Sequence, residues 1–143
     1  MTITRRLGVL LALVASLCVA CGGGEEVEPP RRNPGMLAAV ESFLASDLGR
    51  KPFVELTDWE WDRLYLFDMD DMTHEEVDAL VGKAVSPLRA VGGLFVYFKG
   101  EEVVRVELLE DGTFCEGKYT TAAYLRRGFA CWLADDAFEH FPV

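Results

Sequence analysis

Histidine is scarce in this chain, and serine nearly so. The 143 residues contain two histidines, His74 and His140, and beyond residue 20 three serines, Ser42, Ser46 and Ser86. No G-x-S-x-G segment occurs and no serine has a histidine near it in sequence, so a Ser–His nucleophile has no basis. Beyond residue 20 the cysteines are Cys21, Cys115 and Cys131, and their spacing resembles neither a redox C-x-x-C pair nor a zinc knuckle. No glycine-rich loop follows a strand, as a phosphate cradle requires. Basic residues are few: 14 Lys and Arg stand against 24 Asp and Glu, a formal net charge of −10. That charge repels phosphate backbones and leaves no nucleic acid partner. The uncharged run over residues 7–20 falls short of the roughly 20 apolar residues that span a bilayer.

Carboxylates are plentiful, but 24 of them in a small chain pair by chance, so paired acids do not argue for glycosidase chemistry. The cluster Asp68, Asp70, Asp71 suggests a calcium loop. An EF-hand begun at Asp68 needs Gly at its sixth position and Glu at its twelfth, and Thr73 and Ala79 stand there. A solvated turn is the expectation. His74 and Asp78, one helical turn apart, offer too few ligands for a transition metal. We therefore expect no catalytic residues, no metal and no cofactor.

Arg5 and Arg6 precede the uncharged run, the layout of a secretory signal peptide. The run ends in Cys18-Val19-Ala20-Cys21, followed by Gly22-Gly23-Gly24. This resembles the lipobox of bacterial lipoproteins, where a small residue precedes a cysteine that is lipidated on sulfur and becomes the mature N-terminus. Ala20 and Cys21 match it, and Cys18 stands where the family usually has leucine. The resemblance covers the first 21 residues. It implies a signal peptide over residues 1–20, lipid on Cys21, attachment to the membrane through that lipid, and a place in the bacterial cell envelope. Gly22 rather than Asp after the cysteine leans towards the outer membrane. Each buried CH₂ contributes roughly 0.8 kcal/mol, so two or more acyl chains anchor stably. Cleavage would remove two arginines and no acid, leaving 12 basic (14 less 2) against 24 acidic side chains. With Cys21 in lipid, Cys115 and Cys131 remain as an even pair in an oxidising compartment, and a disulfide between them is expected. Closing that loop contributes roughly 3 kcal/mol in the chain-entropy description.

Residues 21–33 read as a flexible tether of Gly, Pro and charge. Residues 34–143 read as one folded domain. A first helix is expected over residues 34–48, capped by Asn33, opened by Pro34 and closed by Gly49, with Leu37, Val40, Phe43, Leu44 and Leu48 on one stripe. A short strand at residues 53–56 and a strong one over 59–67 follow. Alternation puts Trp59, Trp61, Arg63, Tyr65 and Phe67 on one side of that strong strand. Thr73 and Glu76 form a capping box for a second helix to Val81, with Gly82 behind it. Residues 94–98 and 102–110 form a hairpin about Gly100, and Asp111-Gly112 signals another turn. Residues 117–128 fit either a helical turn or a strand, and residues 129–133 a final strand. The order predicts an α+β domain with helices packed on one face of a small, mostly antiparallel sheet.

Trp61 to Phe67, the acidic turn, and Thr73-His74-Glu75-Glu76-Val77 before a helix ending at Gly82 also resemble a group of small bacterial lipoproteins. Those carry a W-D-x-h-h-h-F strand followed by a short capped helix. The match spans about 22 residues and implies no activity. In that group Gly-Pro-Tyr commonly follows the Phe, and Asp68-Met69-Asp70 stands there instead. Trp59 and Trp61 either cap the core or expose a patch of the residue type that dominates binding hot spots. They are the candidate partner surface. The functional expectation is a membrane-tethered, non-catalytic module that binds a protein of the envelope. The alternative is an acidic inhibitor or immunity lipoprotein acting on a cationic periplasmic enzyme.

Overall fold

The computed structural model describes residues 29–110, 114–128 and 130–142. In chain order the elements are β1 (Arg31–Arg32), α1 (Pro34–Leu44), β2 (Arg50–Pro52), a 3₁₀ turn (Phe53–Leu56), β3 (Arg63–Asp68), α2 (His74–Val81), β4 (Gly93–Lys99), β5 (Glu102–Leu109), β6 (Gly117–Thr120), β7 (Tyr124–Arg126) and β8 (Leu133–Ala134). Asn33 caps α1, its side-chain oxygen accepting from the Met36 N–H at 2.9 Å. Proline at the first helical position loses nothing, because that N–H has no helical partner. The helix stops at Leu44, short of the expected Leu48. There the Ser46 hydroxyl donates to the Phe43 carbonyl at 2.6 Å, a local bond that competes with helix continuation. The stripe shifts accordingly: Met36, Val40 and Phe43 are buried, and Leu48 is 57 % exposed. On α2 the capping box is complete, and Gly82 at φ +83° donates to the Asp78 carbonyl at 2.8 Å.

A five-stranded sheet runs β1-β5-β4-β3-β6, antiparallel except where β1 lies parallel to β5. A smaller antiparallel sheet runs β2-β7-β8. β4 sits in the middle of the larger sheet, and Leu94-Phe95-Val96-Tyr97-Phe98 are all buried. A strand apolar on both faces needs a cover on each. Phe95 and Tyr97 pack with Leu64 and Leu66 against Met36, Val40 and Phe43 of α1, and with Phe53, Leu125 and Leu133. Leu94, Val96 and Phe98 pack with Phe67, Met69 and Val85 against Val77 of α2. The mixed α+β character and the mostly antiparallel pairing are as expected. The packing of both helices on one face is not: α1 and α2 belong to opposite faces.

Other corrections follow from pairing. Arg31 and Arg32, placed in the tether by composition, pair with Glu107 and Leu108, so the fold begins before Pro34. Residues 53–56 form a 3₁₀ turn, with the strand pairing displaced to Arg50–Pro52. Residues 117–128 resolve into β6 and β7, and among the described residues the final strand is β8, Leu133–Ala134, which overlaps the expected 129–133 run at Leu133 alone. On β5 the register shifts between Tyr97–Arg105 and Phe98–Val103, leaving Val104 over as a bulge and 40 % exposed. The Asp111-Gly112 turn lies outside the described residues. The acidic, aromatic end packs: Phe141 stacks on Phe67 at 4.7 Å, and Glu139 exchanges backbone hydrogen bonds with Lys118. A Cβ on Gly117 would sit 2.2 Å from the Phe138 ring, so that packing requires glycine.

Candidate functional site

Trp59 and Trp61 do not lie on the side of β3 that alternation assigned them. Pairing of β3 begins only at Arg63, and both tryptophans turn onto the α1 face, where each meets the Tyr97 ring edge-on at 5.0 and 5.6 Å. A buried indole N–H needs an acceptor, and the Thr57 hydroxyl supplies one to Trp61 at 3.0 Å. Trp61 is 7 % exposed and packs on Phe53, so it is core and offers no partner surface. Trp59 is half-buried and keeps a place at the surface, on the wall of a cleft.

Beside Trp59 lies a polar cluster that the expectations missed. Glu107 is fully buried in the α1 face of β5. One carboxylate oxygen accepts from Arg105 Nε at 2.8 Å and from Asn33 Nδ2 at 2.9 Å. The Arg105 guanidinium lies over the Trp59 ring, 3.8 Å from its centre. Asn33 thus caps α1 with its oxygen and ties the helix to the sheet with its nitrogen. Burying a carboxylate is costly unless it is paired and hydrogen-bonded, and Arg105 and Asn33 offset that cost. Among the described residues, two buried side-chain polar atoms have no partner: Trp59 Nε1 and the second carboxylate oxygen of Glu107. Both residues contact Arg105. The Tyr97 hydroxyl, donating weakly to Met36 Sδ at 3.9 Å, completes the neighbourhood. Burial, reinforced by the negative charge of Glu107 and opposed by Arg105, raises its pKa well above the usual tyrosine value.

A cleft of about 440 Å³ opens between α1 and residues 55–59. Asn33, Met36, Leu56 and Trp59 line it, together with charges of both signs, Lys51 and Arg105 with Glu55 and Asp58. Its size falls within the roughly 300–1,000 Å³ range of small-ligand sites.

The remaining sequence candidates have plain structural roles. Cys115 and Cys131 form the disulfide, with Cα atoms 5.4 Å apart. Phe114 and Trp132, their chain neighbours, meet edge to face at 5.8 Å and join the core. Asp68 accepts from the Asp70 N–H at 3.0 Å within its own turn. The Asp78 carboxylate holds the Val85 and Ser86 N–H groups, and His74 pairs with Glu75. His140 packs on Phe138. Among the described residues no group of three His, Cys, Asp or Glu is placed to hold a metal, and no helix is long and apolar enough to cross a membrane. Cys21 lies outside the described residues. The signal in the sequence for the polar cluster is a charged pair, Arg105 and Glu107, two apart on a strand that beyond Glu102 is otherwise Val and Leu. Its partner Asn33 is 74 residues away and carries no local mark. Comparison with protein families, curated proteins and solved structures finds no match to this chain.

Proposed function

We propose that this chain is an envelope-anchored lipoprotein whose folded part is a non-catalytic protein-binding module, held at the membrane by lipid on Cys21. The observation that carries the reading is the resemblance of Cys18-Val19-Ala20-Cys21 to a lipobox behind a basic, apolar leader. The Cys115–Cys131 bond is in keeping with an oxidising compartment outside the cytoplasm. Trp59 at the cleft, with Arg105 against its ring, is the part of the expected aromatic surface that remains accessible to a partner. The test is expression of the full chain and its Cys21→Ala variant in bacteria fed a labelled fatty acid. Label and membrane fractionation are expected for the parent chain and loss of both for the variant. A variant that still carries label overturns the anchor. The 12 basic against 24 acidic side chains left after cleavage favour a second reading, an acidic inhibitor of a cationic envelope enzyme. Envelope pull-downs at low and high salt separate the two. Capture lost at high salt and confined to cationic enzymes favours the inhibitor, and salt-resistant capture lost in Trp59→Ala favours the binding module.

A further inference from the structure

We propose that the cleft between α1 and residues 55–59 binds a small zwitterionic compound of the amino acid or short-peptide class. Lys51, Glu55 and Asp58 line this cleft, and none of their side chains has an ion-pair or hydrogen-bond partner among the described residues. Arg105, on the same wall, bonds only Glu107 and stacks on Trp59, so its two terminal nitrogens are unused. Opposite charges that reached each other would pair. Held apart in one cleft, they complement a ligand carrying both an ammonium and a carboxylate, whereas a simple anion or cation would leave half of them unanswered.

Arg105 is the carboxylate receptor in this assignment. Its Nε is fixed by Glu107 and its plane by Trp59, so the outward fork is preorganised and loses little freedom on binding. The first turn of α1, at Gly35 and Met36, adds the positive end of a helix to the same space. Leu56, Ala39 and the Trp59 ring supply apolar lining for a side chain. Trp59 Nε1 and the second Glu107 oxygen, both buried without a partner, belong to the two residues that hold Arg105.

The test uses the full-length ¹⁵N-labelled chain in detergent micelles, following the Trp indole and Arg Nε–H signals. The probes are L-alanine, L-alanyl-L-alanine, N-acetyl-L-alanine, L-alaninamide and sodium chloride. At least one of the first two should move the Trp59 and Arg105 signals. Each singly charged analogue should bind at least ~10-fold more weakly, a loss of about 1.4 kcal/mol. The tighter of alanine and alanyl-alanine distinguishes a free amino acid from a peptide. Lys51→Gln and Asp58→Asn remove unpaired side chains, so each should keep the parent melting temperature and weaken binding by a similar factor. No response to either zwitterion at millimolar concentration overturns the proposal. So does an equal response to sodium chloride, which means an adventitious ion only, equal binding of a singly charged analogue, or unchanged affinity in both variants.

Discussion

The two faces of the five-stranded sheet are built by different rules. Under α2 the face is apolar: Phe67, Leu94, Val96, Phe98 and Val106 pack with Val77, and Phe141 closes over them. Under α1 the face buries a carboxylate and a tyrosine hydroxyl among its aromatic rings, beside a half-buried guanidinium stacked on an indole. The helix caps differ in the same way. The α2 cap is self-contained, with Thr73 and Glu76 bonding one another's backbone. The α1 cap is wired into the sheet through Asn33 and Glu107. An apolar face stabilises in proportion to the area it buries, and tolerates loss gradually. A buried polar network specifies one arrangement and fails when any member is removed. The α1 face also carries the open cleft and the unspent hydrogen-bonding atoms.

The largest expected effect tests this contrast directly. Arg105→Ala leaves Glu107 buried without its cation and should cost about 3–5 kcal/mol, read as the shift in denaturant midpoint. Val96→Ala on the α2 face removes two methyl groups from a full core and should cost about 2 kcal/mol. Replacing the network as a unit, Arg105→Met with Glu107→Leu, should recover most of the Arg105→Ala loss, because no charge is then left unpaired. If Arg105→Ala costs no more than Val96→Ala, the two faces are energetically alike and the contrast fails.

The same contrast explains what was legible beforehand. The α2 half could be read because its determinants are local: Thr73, Glu76 and Gly82 span ten residues and define the helix at both ends. The hairpin of β4 and β5 was legible for the same reason, with Gly100 at φ +60° in its turn. Near α1 the determinants are distant. Asn33 was readable as a cap but not as the partner of Glu107. Alternation carried Trp61 onto the Tyr65 side because a period of two has no term for a chain that bends before pairing starts at Arg63. On β5 alternation does not hold across the bulge, which lets Val103 join Val106 on the α2 face and turns Val104 outward. The candidate surface divides: Trp59 lines the cleft and Trp61 belongs to the core.

A smaller effect sharpens the comparison from inside the polar network. Trp59→Phe keeps a ring under Arg105 and removes an N–H that is buried without an acceptor. A lost hydrogen bond costs about 1 kcal/mol, but no bond is lost here, and the removed group was a desolvated orphan. The variant should therefore be within about 0.5 kcal/mol of the parent, on either side. A loss well beyond that would mean that the indole N–H is bonded in solution, through a water held between Trp59 and its neighbours.

The smallest effect separates the two caps by pH. The Thr73 backbone N–H, then its hydroxyl, hold the Glu76 carboxyl below the ordinary value of 4.5. A carboxyl whose folded pKa is lowered contributes stability that is complete above the unfolded value and is lost as pH falls through the folded one. Glu76→Ala should accordingly lower the melting temperature at neutral pH. The gap from the parent should narrow below pH 4.5 and close in stronger acid, where the parent has itself lost the charge. Glu76 is on the surface and its bonds reach only Thr73, so the gap should not depend on whether Arg105 is intact. Measuring the same pH series in Arg105→Lys makes this a double-mutant cycle between the faces. Additive losses mean that the α2 cap and the α1 network hold their helices independently. A non-additive result would show that the apolar face transmits strain through β4, the strand both faces share.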